Sequence, residues 1–164
     1  MNIKLDNNLY QKLLNEATES PRKRSHFNLH KSFDEPVQRL CIALKKGTYV
    51  KPHYHPNSNK WELMLALKGE STLIIFDKDG VVLERLTLSP NNSMSGIELK
   101  PDTWHTVFPQ SSESVILEVK EGPYTPSVKS DFANWAPDEG DANVNEFLQW
   151  LESAGVGGKY ASKL

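Results

Sequence analysis

The sequence holds a single cysteine, Cys41, among its 164 residues. An intramolecular disulfide is therefore excluded. A lone thiol in the strand-like run "VQRLCIALKK" is expected to be a small buried apolar group, and its setting a reducing one, the cytoplasm. No apolar run approaches the roughly 18 residues that a membrane-spanning helix needs. The opening "MNIKLDNNLYQ" is too polar to be the apolar core of a signal peptide. Positive charge is not in excess either: 19 Lys and Arg stand against 21 Asp and Glu, so no nucleic-acid partner is expected. A phosphate-binding glycine loop, a CxxC pair and a Ser-His-Asp order are also missing, which removes their chemistries from consideration. What remains is 38% hydrophobic and 24% charged residues, a balance that suits one globular domain over residues 1–164.

Within it, residues 6–18, "DNNLYQKLLNEAT", carry apolar side chains at 9, 10, 13, 14 and 17 after Asp6, the spacing of a capped helix. From about 26 to 122 the chain reads as short strands rich in Val, Ile, Leu, Phe and Thr. These are "VQRLCIAL", "GTYVKPHYH", "WELMLALKG", "STLIIFD", "VVLERLTL", "IELK", "WHTVF" and "VILEVK". Turn signals separate them, "DKDG" at 77–80 being a hairpin in which Gly80 can take a positive φ. With no helix between strands, the sheet is expected to be antiparallel, an all-β sandwich or barrel. A second helix is expected over about 143–153, with Asn143 and Glu146 as a capping box and Gly155 as its stop.

Side chains two apart on an extended chain share a face, roughly 6.5–7 Å from each other. His53 and His55 in "KPHYHPNSNKWEL" can thus enter one cavity, and after a turn at "PNSNK" Glu62 shares a face with Met64 and Ala66. An unpaired carboxylate inside such a strand is costly, so it calls for a cation. His105 in "KPDTWHT" supplies a third imidazole. Three imidazoles and a carboxylate suit one divalent transition metal, Zn, Fe, Ni, Mn or Co.

The run from Gly47 through His53-x-His55 and Glu62 to Gly69 resembles the first cupin motif, and "KPDTWHT" resembles the second. The resemblance implies a cupin double-stranded β-helix (jelly-roll barrel) with short N- and C-terminal helices, and metal ligands His53, His55, Glu62 and His105. Two features depart from the pattern. Six residues separate His55 from Glu62, more than usual, and Asp102 and Pro109 stand where glycine and asparagine are customary. The segments "RKRSHFNLH", "DEPVQRL", "FDKDGVVLER" and "LEVKEGPY" extend the likeness to the WbuC family, cupin-fold metalloproteins found beside bacterial surface-polysaccharide genes.

Arg22, Arg24, His26, Asn28 and His30 alternate in "RKRSHFNLH". If extended, they form one polar stripe whose arginine forks suit a phosphate or carboxylate, so Arg22, Arg24, Asn28 and His30 are candidate substrate-binding residues. A solvated or inter-subunit segment is the competing reading. Glu118 and His26 are candidates for proton transfer, although Glu118 can equally pair with Lys120 outside the barrel. Trp61 and Trp104 are expected to face away from the metal and pack. "WELMLALK" is apolar on both faces, so helices or a second subunit must cover it, and a homodimer is expected. The first functional expectation is a metal-dependent enzyme, isomerase, epimerase or oxygenase, acting on a small polar or sugar-related substrate. The alternative is a metal-containing module that binds a sugar or anion without turnover.

Overall fold

The computed structural model describes residues 2–56 and 60–161. The turn expected at "PNSNK" falls mostly on 57–59, outside the described residues. Asp6 starts the first helix as its position predicts, its carboxylate accepting from the amides of Asn8 and Leu9 at 3.1 Å each. Helix α1, Asn7–Glu19, buries Tyr10, Leu13, Leu14 and Ala17 along one side. Six strands follow among the described residues: β1 Arg24–Asn28, β2 Val37–Lys45, β3 Glu62–Phe76, β4 Val82–Leu88, β5 Gly96–Leu99 and β6 Trp104–Glu121. They pair antiparallel in the order β1-β2-β6-β3-β4, with β5 on the free half of β3. Helix α2, Val144–Ser153, comes last.

Two long strands replace four of the expected short ones. "WELMLALKG" joins "STLIIFD" as β3, and "WHTVF" joins "VILEVK" as β6, each bending where separate strands are suggested by sequence. The pairing slips between Ala66 and Lys68 and again between Gly69 and Ser71. Gly69 has φ +69°, and a Cβ there would stand 2.6 Å from the Glu113 carbonyl oxygen, so only glycine fits the bend. The first half of β3 pairs with β5 and with Ile116–Lys120; the second pairs with β4 and with Trp104–Pro109. Each long strand thereby serves both layers of a jelly roll.

Apolar side chains fill the space between the layers. Ile42, Leu44, Met64 and Ile116 meet Leu73, Leu88 and Val107 there. The helices cover the outer faces. α1 packs on Cys41, Ala43 and Val115, and α2 sets Phe147 and Leu151 on Ile74, Phe76, Val82 and Phe108. On the first half of β3, Leu67 joins the cluster under α1, while Leu63 and Leu65 on the same outer face stay half-buried. Cys41 is fully buried beneath α1, and burial pushes its thiol up to about 11.

The two ends of α2 depart from the sequence pattern. Asn143 is helical in backbone and makes no side-chain cap, so the capping box with Glu146 does not form. At the far end Ala154 turns extended, and Gly155 is not needed as a left-handed stop. Arg85 takes over the capping of the C-terminus, donating to the carbonyls of Leu151 (2.6 Å) and Glu152 (3.0 Å) with its guanidinium over the Phe108 ring. Among the described residues no helix is long and apolar enough to cross a membrane.

The packing of α2 gives a stability test. Phe147 has no exposed surface and lies within an aromatic cluster with Tyr49, Trp135, Trp150 and Tyr160. Phe147→Ala is expected to lower unfolding free energy by about 3–5 kcal/mol. Leu83→Ala, on a side chain 49% exposed, is expected to change it by less than about 0.5 kcal/mol. Urea unfolding of both variants checks this; equal midpoints would show that α2 is not docked.

Candidate metal centre

Pro52 has no amide to give to a ladder, so "GTYVKPHYH" does not form the regular strand its composition suggests. It runs instead as an extended segment held from both sides at His53. The amide of His53 donates to the His105 carbonyl (3.1 Å), and the amide of His105 returns the bond (2.9 Å). On the other side the amide of Ala133 donates to the Pro52 carbonyl (2.8 Å), and that of Tyr54 to the Asp131 carbonyl (3.0 Å). Segment 131–133 lies in an irregular Pro- and aromatic-containing stretch, and no local sequence pattern marks it as a partner of the site. The His55 carbonyl accepts the amide of Asp102 (3.1 Å), which sits at φ +62°. Asp102 thus occupies a left-handed position that glycine favours and that aspartate tolerates better than most residues.

These constraints bring the imidazoles together. The rings of His53 and His105 are 4.5 Å apart, and the donor atoms of His53, His55 and His105 all lie within 4.8 Å of one another. His53 Nδ1 faces the Lys51 carbonyl and His105 Nδ1 faces the Thr103 carbonyl, both at 2.9 Å. A carbonyl only accepts, so each proton is assigned to Nδ1 and each Nε2 is left with a lone pair. Glu62 Oε2 lies 3.1 Å from His105 Nε2 and 3.3 Å from His55 Nε2. Donors held about 2.1 Å from a common ion are separated by roughly 3.0–3.4 Å, so the spacing suits a shared centre. His55 Nε2, His105 Nε2 and Glu62 Oε2 are all buried without a hydrogen-bond partner. Leaving three such atoms orphaned costs about 1–3 kcal/mol each; a cation satisfies all three at once. His53, His55 and His105 can therefore hold a metal ion.

The charges mark a place for a cation. Burial, with His105 adjacent, drives His53 down to about 3 and keeps it neutral. Burial alone would raise Glu62 and lower His105, but the contact between them outweighs it. Glu62, facing His105 and His55, is held well below the ordinary carboxyl range. His105 is raised by Glu62, so that Nε2 takes a proton wherever a metal ion does not take its place. Glu118, across the sheet from Met64, is pushed up to about 7 by burial and by Glu62, against the pull of Lys120. A cation bound to Glu62 would relieve part of that repulsion. Lys120 stands opposite Glu62 in the pairing and donates to Glu118 Oε1 at 2.5 Å. This pair lies inside the barrel, on the wall of the cavity, and not outside it.

The cavity measures about 500 Å³, and Arg22, Arg24, His26 and Asn28 line it together with His53, His55, Glu62 and Glu118. β1 carries the alternation that aims Arg24, His26 and Asn28 inward. His26, exposed on the cavity wall, is pushed down to about 4 by the protein around it and by Arg24, Arg22 and Lys120. His30 lies apart: beyond the end of β1, its Nδ1 bonds the Arg39 main chain and its ring packs near Phe33. Both arginines hold Glu139, Arg22 in a two-point fork at 2.7 Å and Arg24 at 3.2 Å. Phe33 and Tyr124, tilted by 40° with ring centroids 5.1 Å apart, form an exposed aromatic lip on the cavity. Sequence reasoning missed Glu139, which reaches the site from a loop distant along the chain, and Phe33, which lies beyond the end of β1 and carries no motif. Of the tryptophans, Trp104 packs on Tyr54 (4.3 Å) and near Trp135, away from the imidazoles.

Substitution of two ligands at once gives the direct test. His53→Ala with His105→Ala is expected to reduce bound metal to below about a tenth of an ion per chain. The circular dichroism spectrum should stay that of a β protein, since Leu44, Leu73 and Ile116 pack without the site. Elemental analysis of protein purified without a histidine tag reads the result; undiminished metal would place the ion elsewhere.

Several solved structures are similar in shape. The TT1209 protein of Thermus thermophilus is 22% identical, with 74% of this chain and 97% of that one aligned at a TM-score of 0.54. KdgF from Halomonas sp. aligns over 65% and 84% of the two chains, with 16% identity and a TM-score of 0.49. An RmlC-like cupin family protein with a double-stranded β-helix fold from Methanocaldococcus jannaschii aligns over 64% and 86%, with 19% identity and a TM-score of 0.47. Identities this low speak to fold alone: a mostly antiparallel β-sheet with two short helices in a jelly-roll arrangement, whose structural neighbours include cupin double-stranded β-helix proteins. No curated protein matches the chain. A family model described as a domain of unknown function, DUF6016, matches residues 5–88, more than half of the sequence, and the chain belongs to that family.

Proposed function

We propose that this cupin is a metal-dependent enzyme acting on a small polar, sugar-related substrate with an anionic group. Its metal is one divalent transition ion held by His53, His55, Glu62 and His105. The observation that carries the reading is the convergence of three orphaned buried donors, two of them, on His55 and Glu62, in the wall of a cavity that His53 also lines. Such an ion supplies Lewis acidity to a carbonyl or hydroxyl oxygen. The protein supplies the rest. Arg22 and Arg24 attract and orient the anionic group, Asn28 offers amide hydrogen bonds, and the Phe33–Tyr124 lip offers an apolar surface for one face of a ring. Glu118 is the group assigned to proton transfer in this reading, supported by its place on the cavity wall beside Lys120, which holds its carboxyl.

The WbuC resemblance supports a role in bacterial surface-polysaccharide metabolism, and the buried reduced Cys41 supports a cytoplasmic setting. Lys120, bound to Glu118 at 2.5 Å, favours a second reading, a sugar- or anion-binding module without turnover.

A screen of sugars and sugar nucleotides against the metal-loaded protein separates the two. Turnover with Glu118→Gln at least about 100-fold slower, and ligand affinity changed less than about threefold, is expected for the enzyme. Tight binding with no product from any ligand would establish the module instead.

A further inference from the structure

The carboxylate that fills the arginine fork belongs to the chain itself. Arg22 grips both oxygens of Glu139, and Arg24 reaches Oε2 from the other side. Arg24 does not depend on Glu139 for its place. Its side chain is 8% exposed, and its Nη1 is fixed by the Tyr49 carbonyl at 2.7 Å. Arg22 is anchored at its main chain, whose carbonyl accepts from the Thr48 hydroxyl at 2.9 Å, while its side chain is 56% exposed. Between the two arginines Lys23 has φ +56°, a left-handed conformation that side-chain-bearing residues avoid. The chain thus keeps an unfavourable backbone shape at the one position that sets the two guanidinium groups side by side.

Glu139, unlike Arg24, reaches solvent: its side chain is 41% exposed. Its loop is fastened on each side by other bonds. Tyr49 donates to the Pro137 carbonyl (2.8 Å), Lys51 pairs with Asp138 (2.5 Å), and the amide of Asp138 donates to Asp141 (2.8 Å). The Glu139 side chain can therefore swing away without unfastening the loop, and a solvent-exposed ion pair is weak enough to be exchanged. Both arginines also line the cavity that holds the imidazoles. Tyr49 and His53 are four residues apart, at most about 13 Å of extended chain, so the fork and the imidazoles are within reach of one small molecule.

We infer that Glu139 is an exchangeable internal anion. It occupies the Arg22–Arg24 fork while the cavity is empty and yields it to the phosphate or carboxylate of an incoming ligand. The inference rests on the cavity being a ligand site, though not on its metal. Exchange makes two uses of one carboxylate. It keeps two cations from lying unpaired in the empty protein, and it sets a threshold that neutral sugars do not cross, because only an anion replaces what Glu139 provides.

The test uses the purified 164-residue chain, its metal content measured, titrated with inorganic phosphate and separately with acetate. Calorimetry reads affinity, and the Arg22 Nε–H resonance reads the place of binding, which an anion resting on the metal would not move. Glu139→Gln is expected to bind phosphate at least about fivefold more tightly than the native chain, since the competitor is gone. Adding Arg22→Gln to that variant should abolish the gain. A response to phosphate, to acetate or to both supports exchange and tells which anionic group the fork takes. Equal affinity in the native and Glu139→Gln chains overturns the proposal. So does an Arg22 resonance unmoved by either anion, or a Glu139→Gln variant that merely loosens residues 137–141 in hydrogen exchange without binding. Absence of metal in the preparation would count against the proposed enzyme and leave the fork result readable.

Discussion

A pair of main-chain hydrogen bonds between His53 and His105 fixes the centre of this molecule. Residues bridged in this way have side chains on the same face of the sheet, so two imidazoles far apart along the chain arrive side by side without any side-chain attraction between them. Each ring is then oriented by a carbonyl two residues earlier, that of Lys51 or Thr103. Backbone geometry therefore sets position, rotation and tautomer together, and does so before any ion is present. A preformed donor set loses little conformational freedom when it binds, the thermodynamic advantage of building the site on strands and not on mobile side chains.

Glu62 and His105 belong to opposite layers and meet across the interior, because β3 and β6 are long and bent enough to serve both. In the observed fold β6 runs from His105 in one layer to Glu118 and Lys120 in the other, and β3 returns beside it with Glu62 opposite Lys120. The bend needs a residue without a side chain where β3 passes the Glu113 carbonyl, and Gly69 is that residue. Gly69 thus belongs to the site's architecture although it stands outside the cavity. The same logic applies to Asp102, whose left-handed backbone turns the chain so that its amide can hold His55.

Much of this was legible in the sequence because it is local. Asp6 with its apolar repeat marks α1, "DKDG" marks the turn at Gly80, and the alternation around Glu62 places that carboxylate inward beside Met64 and Ala66. His-x-His spacing likewise needs only the two-residue period of an extended chain. What escaped depends on distant partners. Strand continuity through "PQSSES" is decided by pairing with β2 and β3, not by the polar composition of that stretch. His30 satisfies the alternation yet leaves the stripe, because β1 ends at Asn28 and the Arg39 main chain captures its ring. Asn143 has the chemistry of a cap but the backbone of a helix, so its side chain cannot turn back on the first amides. Glu139 carries no motif at all; it matters because the loop before α2 is brought against Arg22 and Arg24.

The cavity that results is electrically unequal from end to end, and this constrains what can enter it. Near the imidazoles the carboxylate of Glu62 faces a potential ion, while Glu118 and Lys120 cancel each other. At the far end two guanidinium groups share one carboxylate, so positive charge is left over there. His26, lying among those cations, is kept neutral and adds no further charge, leaving it a hydrogen-bonding group at the wall. Between the ends the surface is largely apolar, formed by Leu40, Ile42 and Met64, with aromatic rings at the lip. A molecule that is charged throughout would have to desolvate charge against this middle wall, at a cost no neighbour repays. A wholly apolar one would leave both polar ends unsatisfied. Under the proposed reading, a molecule with oxygen donors at one end, an anion at the other and a low-polarity face between them is the one that satisfies all three zones together.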